Sequence, residues 1–215
     1  ARAIAYDERT GTVFAAGWDK VEGEELRAVV VRTDGRGVLD GSFGKGGILH
    51  VPAGIGSVGG LPEGAVTGLA LDSSGRALVS GFALFSSFDV FVLRADASGL
   101  DGGFGNAGIA VRDVAGADAT DAAFSMRLDE KDRPNVVGYT AAAGGFDFLL
   151  VRFDAEGAID TEIVSDQGGP ATDLATSLVV MPDGKRLVGG QRNAGANSFD
   201  FAFARFLDGG APDTT

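Results

Sequence analysis

FDVFVLR, residues 88–94, decides the fold. Phe88, Val90 and Val92 fall on one parity and Phe91 and Leu93 on the other. A strand built from this stretch is apolar on both faces and must be covered on both. The same shape returns as LRAVVVR ending at Arg32, FDFLLVR ending at Arg152 and FDFAFAR ending at Arg205. Ahead of each lies a short apolar run closing on a glycine: Gly17, Gly81, Gly138 and Gly190, about 52 to 64 residues apart. Behind each, past a turn, stands Asp40, Asp101, Asp160 or Asp213. A period in this range marks units that cannot bury both faces alone and therefore stack on their neighbours.

Within one copy the pattern breaks into four short runs. In the second they are VTGLALD, ALVSGF, FDVFVLRAD and GIAVRDV, joined by SSGR, a variable loop and the glycine-rich ASGLDGGFGNAG. No stretch keeps the 3.6-residue apolar spacing of a helix, and the runs are rich in β-branched and aromatic residues. The expectation is an all-β chain, a β-propeller-like array of four repeats, each a four-stranded antiparallel blade. It forms one repeat domain over 1–215, with repeats at about 1–53, 64–114, 121–167 and 173–215, the last lacking its fourth strand.

Composition narrows the functions. The 35 glycines have no collagen period and punctuate apolar runs, as turn residues do. With no cysteine, disulfide scaffolds, thiolate metal sites and thiol nucleophiles are excluded. A net charge of -12 opposes nucleic-acid phosphates and anionic membrane surfaces. No apolar run approaches the ~20 residues needed to cross a bilayer as a helix. The chain starts without methionine and without a signal peptide, so it reads as a mature or trimmed product.

PDGK at 182–185, the FD before Arg94, Arg152 and Arg205, LDGSFGKGG at 39–47 and LDGGFGNAG at 100–108 together resemble the delta-60 repeat of bacterial proteins. Copy one departs from that pattern, with Leu26-Arg27 in place of Phe-Asp. The resemblance implies propeller-like β structure and a secreted or cell-surface setting; it implies no established chemistry.

Candidate residues follow from position. Arg32 and Asp40, Arg94 and Asp101, Arg152 and Asp160, and Arg205 and Asp213 bracket the turn after the third strand, and read as structural clamps. Asp89, Asp147 and Asp200 open the third strands, where a short carboxylate caps loop amides. Calcium at these aspartates would call for several oxygen ligands packed into about a dozen residues, and no such loop is present, so no metal and no cofactor are expected. Asp121 and Asp173 sit in a second echo, GADATDAAF against GGPATDLAT, ahead of the first strands. The single histidine, His50, has no triad or zinc partners in its sequence neighbourhood. Immediately after the repeated glycines stand Trp18, Phe82, Tyr139 and Gln191, at the bases of loops that differ from copy to copy. Aromatic bases of this kind stack on sugars or hold a partner's side chains.

The reading this supports is a non-enzymatic extracellular binding or scaffolding module, with a glycan or protein ligand on the variable-loop face at Trp18, Phe82, Tyr139 and Gln191. The alternatives are a polysaccharide hydrolase or lyase using carboxylates such as Asp121 and Asp173, and a purely architectural part of a larger surface protein. A second chain or a longer parent chain is expected to complete the propeller, because an unpaired edge strand is a template for aggregation.

Overall fold

The computed structural model describes residues 1–19, 27–51, 64–85, 87–116, 119–141, 145–168, 172–195 and 198–214. Four antiparallel sheets follow one another along the chain. The first is β1 (Ala3–Asp7), β2 (Thr12–Asp19), β3 (Arg27–Asp34) and β4 (Ile48–His50), paired in that order. The second is β5 (Gly64–Leu71), β6 (Ala77–Leu84) and β7 (Phe88–Asp96), with the short β8 (Gly99–Leu100) and then β9 (Ile109–Arg112) both pairing β7. The third is β10 (Asp121–Leu128), β11 (Pro134–Thr140), β12 (Asp147–Phe153) and β13 (Ile159–Ser165). The fourth has three strands, β14 (Asp173–Val180), β15 (Arg186–Gly195) and β16 (Ser198–Phe206). Among the described residues no helix is long and apolar enough to cross a membrane.

The chain is all-β, with each sheet a blade of a propeller-like array. Three buried apolar clusters serve four sheets, and each cluster lies at a junction. Phe14, Val30 and Phe43 of blade one pack with Val66, Val79 and Phe91 of blade two. Val90 and Val92 pack with Met126, Val136 and Leu149, joining blades two and three. Phe148 and Leu150 pack with Leu178 and Val188, joining blades three and four. The two parities of the third strand thus feed different cores, Phe91 and Leu93 facing back and Val90 and Val92 facing forward. Each fully buried side chain of this size contributes about 1.5–3 kcal/mol.

The repeated glycine has a local cause. The first strand of blades two, three and four carries a register shift at Val66/Gly68, Ala123/Ser125 and Ala175/Ser177. Such a bulge pushes a carbonyl toward the second strand. A Cβ at Gly81, Gly138 or Gly190 would lie 1.9, 1.7 or 2.0 Å from the carbonyl oxygen of Ala65, Ala122 or Leu174. Only glycine fits beneath it. The bulge also resets the alternation, which lets Ala123 and Met126, three residues apart, enter the same core.

The glycine-rich turn after the third strand is built alike in blades one and two. Gly44, Gly47, Gly105 and Gly108 take positive φ values of 52, 94, 54 and 95°. Phe43 and Phe104, the aromatics of the two FG pairs, are fully buried.

Candidate functional site

All four Arg–Asp pairs form. Arg32 Nε donates to Asp40 at 2.9 Å, Arg94 Nε to Asp101 at 2.8 Å, and Arg205 Nε stands 2.9 Å from Asp213. Arg152 donates to Asp160. Two of the arginines also reach the next blade. Arg94 Nη1 donates to the Ala155 carbonyl at 2.5 Å, and Arg152 pairs with Asp208. The Arg94 guanidinium lies over Phe104 at 4.9 Å from the ring centre. These groups are committed to turns and junctions.

The residues after the repeated glycines occupy equivalent register positions. Phe82 stands opposite Ala65, Tyr139 opposite Ala122 and Gln191 opposite Leu174. Five half-buried rings run in one chain across blades two and three. Phe88 meets Phe82 at 5.9 Å, Phe82 meets Phe124 at 6.4 Å, Phe124 meets Tyr139 at 5.6 Å, and Tyr139 meets Phe146 at 4.5 Å. Phe124, which links the two predicted positions, is the bulge residue of β10 and was invisible as such in the sequence. Trp18 packs instead against the first core, and Gln191 borders a surface hollow with Thr176, Phe199 and Phe201. Residues 20–26, 86, 142–144 and 196–197 of the variable loops lie outside the described residues, as do 59–63 of the GGLPEG cluster.

In sequence, each end ring of this chain is followed by an aspartate that belongs to a carboxylate triad. Asp89, next to Phe88, meets Asp113 and Asp121; Asp147, next to Phe146, meets Asp166 and Asp173. Within each triad, one carboxylate oxygen per residue lies within 4.8 Å of the others. The fold thus brings Asp121 to Asp89 and Asp173 to Asp147, and adds Asp113 and Asp166, which no motif had marked. Each triad spans a junction: its first two members belong to one blade and its last opens the first strand of the next.

The two triads differ in access. In the first, Asp89 and Asp121 are buried. Burial, reinforced by Asp113 and Asp121, pushes the Asp89 carboxyl up to about 6 against the pull of the Ser87 hydroxyl. Asp121 Oδ2 accepts the backbone amides of Val114 at 2.5 Å and Ala115 at 3.0 Å. In the second, Asp166 is exposed and Asp147 half-buried. Burial again raises the Asp147 carboxyl, and Asp166 and Asp173 add to the effect. Asp173 is buried, with Oδ2 accepting Gln167 N at 2.8 Å and Oδ1 accepting Asn193 N at 3.3 Å. Burial and the charge of Asp121 raise the Tyr139 hydroxyl above its ordinary range. The third aspartate of the FD series, Asp200, is exposed and faces Arg192 at 3.6 Å. His50 Nδ1 faces Asp19 at 3.6 Å on blade one.

A fold of stacked antiparallel blades defines a propeller-type repeat protein. Residues 136–162 and 182–215 match the family described as "Domain of unknown function (DUF5122) beta-propeller". No curated protein matches the chain significantly. Among solved structures, an engineered GH43 glycoside hydrolase with endo-xylanase and exo-arabinofuranosidase activity aligns at TM-score 0.48 and 14% identity, over 98% of this chain and 38% of the other. The GH43 endo-arabinanase from Bacillus licheniformis aligns at TM-score 0.45 and 13% identity, over 97% of this chain and 74% of the other. An exo-1,5-alpha-L-arabinanase from a bovine ruminal metagenomic library aligns at TM-score 0.46 and 15% identity, over 97% and 75%. These neighbours are glycoside hydrolases, which corrects the expectation of a non-enzymatic binding or scaffolding module.

Proposed function

We propose that this chain is a polysaccharide hydrolase working at the Asp147–Asp166–Asp173 triad. One observation carries the reading: an exposed carboxylate, Asp166, lies within 4.8 Å of a carboxyl, Asp147, that burial holds toward its protonated form. Two carboxyl groups whose environments push their protonation apart are what glycosidic cleavage needs. Asp147 protonates the glycosidic oxygen as the C–O bond breaks, and the leaving alcohol departs with that proton. Asp166 attacks the anomeric carbon and forms a glycosyl ester. Water then displaces Asp166, giving its proton back to Asp147. The short separation suits this double displacement with retention, since inversion needs about 6.5–9.5 Å between the groups to seat a water. Asp173, held by two backbone amides, keeps the loop that carries Asp166 in place.

The delta-60-like repeats support a secreted or surface setting, where a polymeric substrate is met. Arabinan and xylan, the polymers of the aligned enzymes, are the first substrates to test. Reducing-end release should fall about 100-fold or more in Asp147→Asn and in Asp166→Asn, with no loss of melting temperature. The product's anomeric configuration, followed by NMR, should be retained. Full activity in both variants would remove this site from consideration.

A further inference from the structure

We propose that the Asp89–Asp113–Asp121 triad is a calcium site that fastens blade two to blade three. Its members come from the start of β7, the residue after β9 and the start of β10, so an ion held there joins the third and fourth strands of one blade to the first strand of the next. Asp121 is completely buried, and among the described residues only one of its oxygens is used. Oδ2 accepts two backbone amides, while Oδ1 accepts no hydrogen bond from the described residues. A buried carboxylate oxygen with nothing to bind is expensive, and the cost is removed by a cation. The second triad lacks this feature, since both oxygens of Asp173 accept backbone amides.

The donors fit calcium. Among the described residues the site offers three carboxylates, the Ser87 hydroxyl 2.9 Å from Asp89 Oδ1, and the Gly116 carbonyl 3.5 Å from that hydroxyl, with the Arg112 guanidinium near enough to feel Asp113 and Asp121. Oxygen donors of this kind select a hard cation. Oxygens sharing calcium at 2.3–2.6 Å stand up to about 5 Å apart, and the three aspartates each bring an oxygen within 4.8 Å of the others. No ion pair to the three aspartates occurs among the described residues; the neighbouring Arg112 holds Glu162 with Nε and Nη2. The triad escapes a local-loop search because its ligands are 24 and 8 residues apart in the chain.

Terbium luminescence and thermal melting test this. Tyr139, close enough to feel the charge of Asp121, should sensitise terbium emission, and calcium should quench it by displacement. Calcium at about 100 times its dissociation constant should raise the melting temperature by about 5–10 °C over the chelated protein. Asp113→Asn should abolish both signals, and Asp89→Asn, which keeps the side-chain shape, gives the same readout if the first variant folds poorly. Asp166→Asn should leave both intact. The proposal fails if up to about 10 mM calcium, above the range of extracellular calcium modules, gives no shift and terbium no emission. It also fails if the signals survive Asp113→Asn or are lost in Asp166→Asn instead. None of these readouts depends on hydrolytic activity.

Discussion

Asp89 shows how much a single carboxyl can cost a fold that needs it elsewhere. Its folded pKa of about 6 lies above the ordinary 3.8. Between those values the folded chain keeps a proton that the unfolded chain has released. Stability therefore falls as pH rises through this window, and the penalty is complete above it. In chelator-containing buffer, Asp89→Asn should gain up to about 3 kcal/mol near pH 7.5, and the gain should vanish toward pH 4. Urea titrations at the two pH values measure this. A variant less stable than the parent at the higher pH would mean that the carboxylate is held ionised. Gly138 represents the opposite kind of residue, one whose identity is dictated by a carbonyl 1.7 Å from its missing Cβ rather than by charge.

At the scale of the strand, identical chemistry meets different fates. Phe148 lies opposite Tyr139 in β12, and Phe201 lies opposite Gln191 in β16, the same place in the pattern. Phe148 is 2% exposed against blade four, whereas Phe201 is 88% exposed on the outer face of that blade. Phe148→Ala should cost about 3–5 kcal/mol, and Phe201→Ala under about 0.5 kcal/mol; denaturant midpoints of the two variants decide. The third strands are legible in the sequence because both parities of FDVFVLR and FDFLLVR are apolar. The difference between these two phenylalanines is not, since burial there belongs to the neighbouring blade and leaves no mark within the strand. The triads were half legible for the same reason. The FD pattern singled out Asp89 and Asp147, and the GADATD echo singled out Asp121 and Asp173. Their meeting, and the arrival of Asp113 and Asp166, depended on how one blade lies against the next. The bulge that makes Phe124 a link between two ring positions likewise has no local signature beyond the glycine it forces on the facing strand.

Over the whole molecule, packing runs from each blade to its neighbour. Blades two and three are covered on both faces. Blade one leaves Ile4 and Tyr6 exposed at 72% and 59%, and blade four leaves Phe203 exposed at 68%. In such an array stability is a sum of units and interfaces, and the end units have one interface fewer. Native-state hydrogen exchange should therefore show stronger protection in β6, β7, β11 and β12 than in β1, β15 and β16. Uniform protection across all four blades would mean that the array opens only as one cooperative body. The register shift in the first strand of three blades bears on how such an array is inherited. It acts as a phase correction written once per repeat, so a duplicated unit carries its own and presents the same face to whatever follows. A copied blade needs no adjustment in its neighbours, whereas loss of the single residue Phe124 would turn Met126 out of its core. Growth by whole units is thereby easy and drift by single residues is penalised, which accounts for a pattern so legible across copies whose loops have diverged.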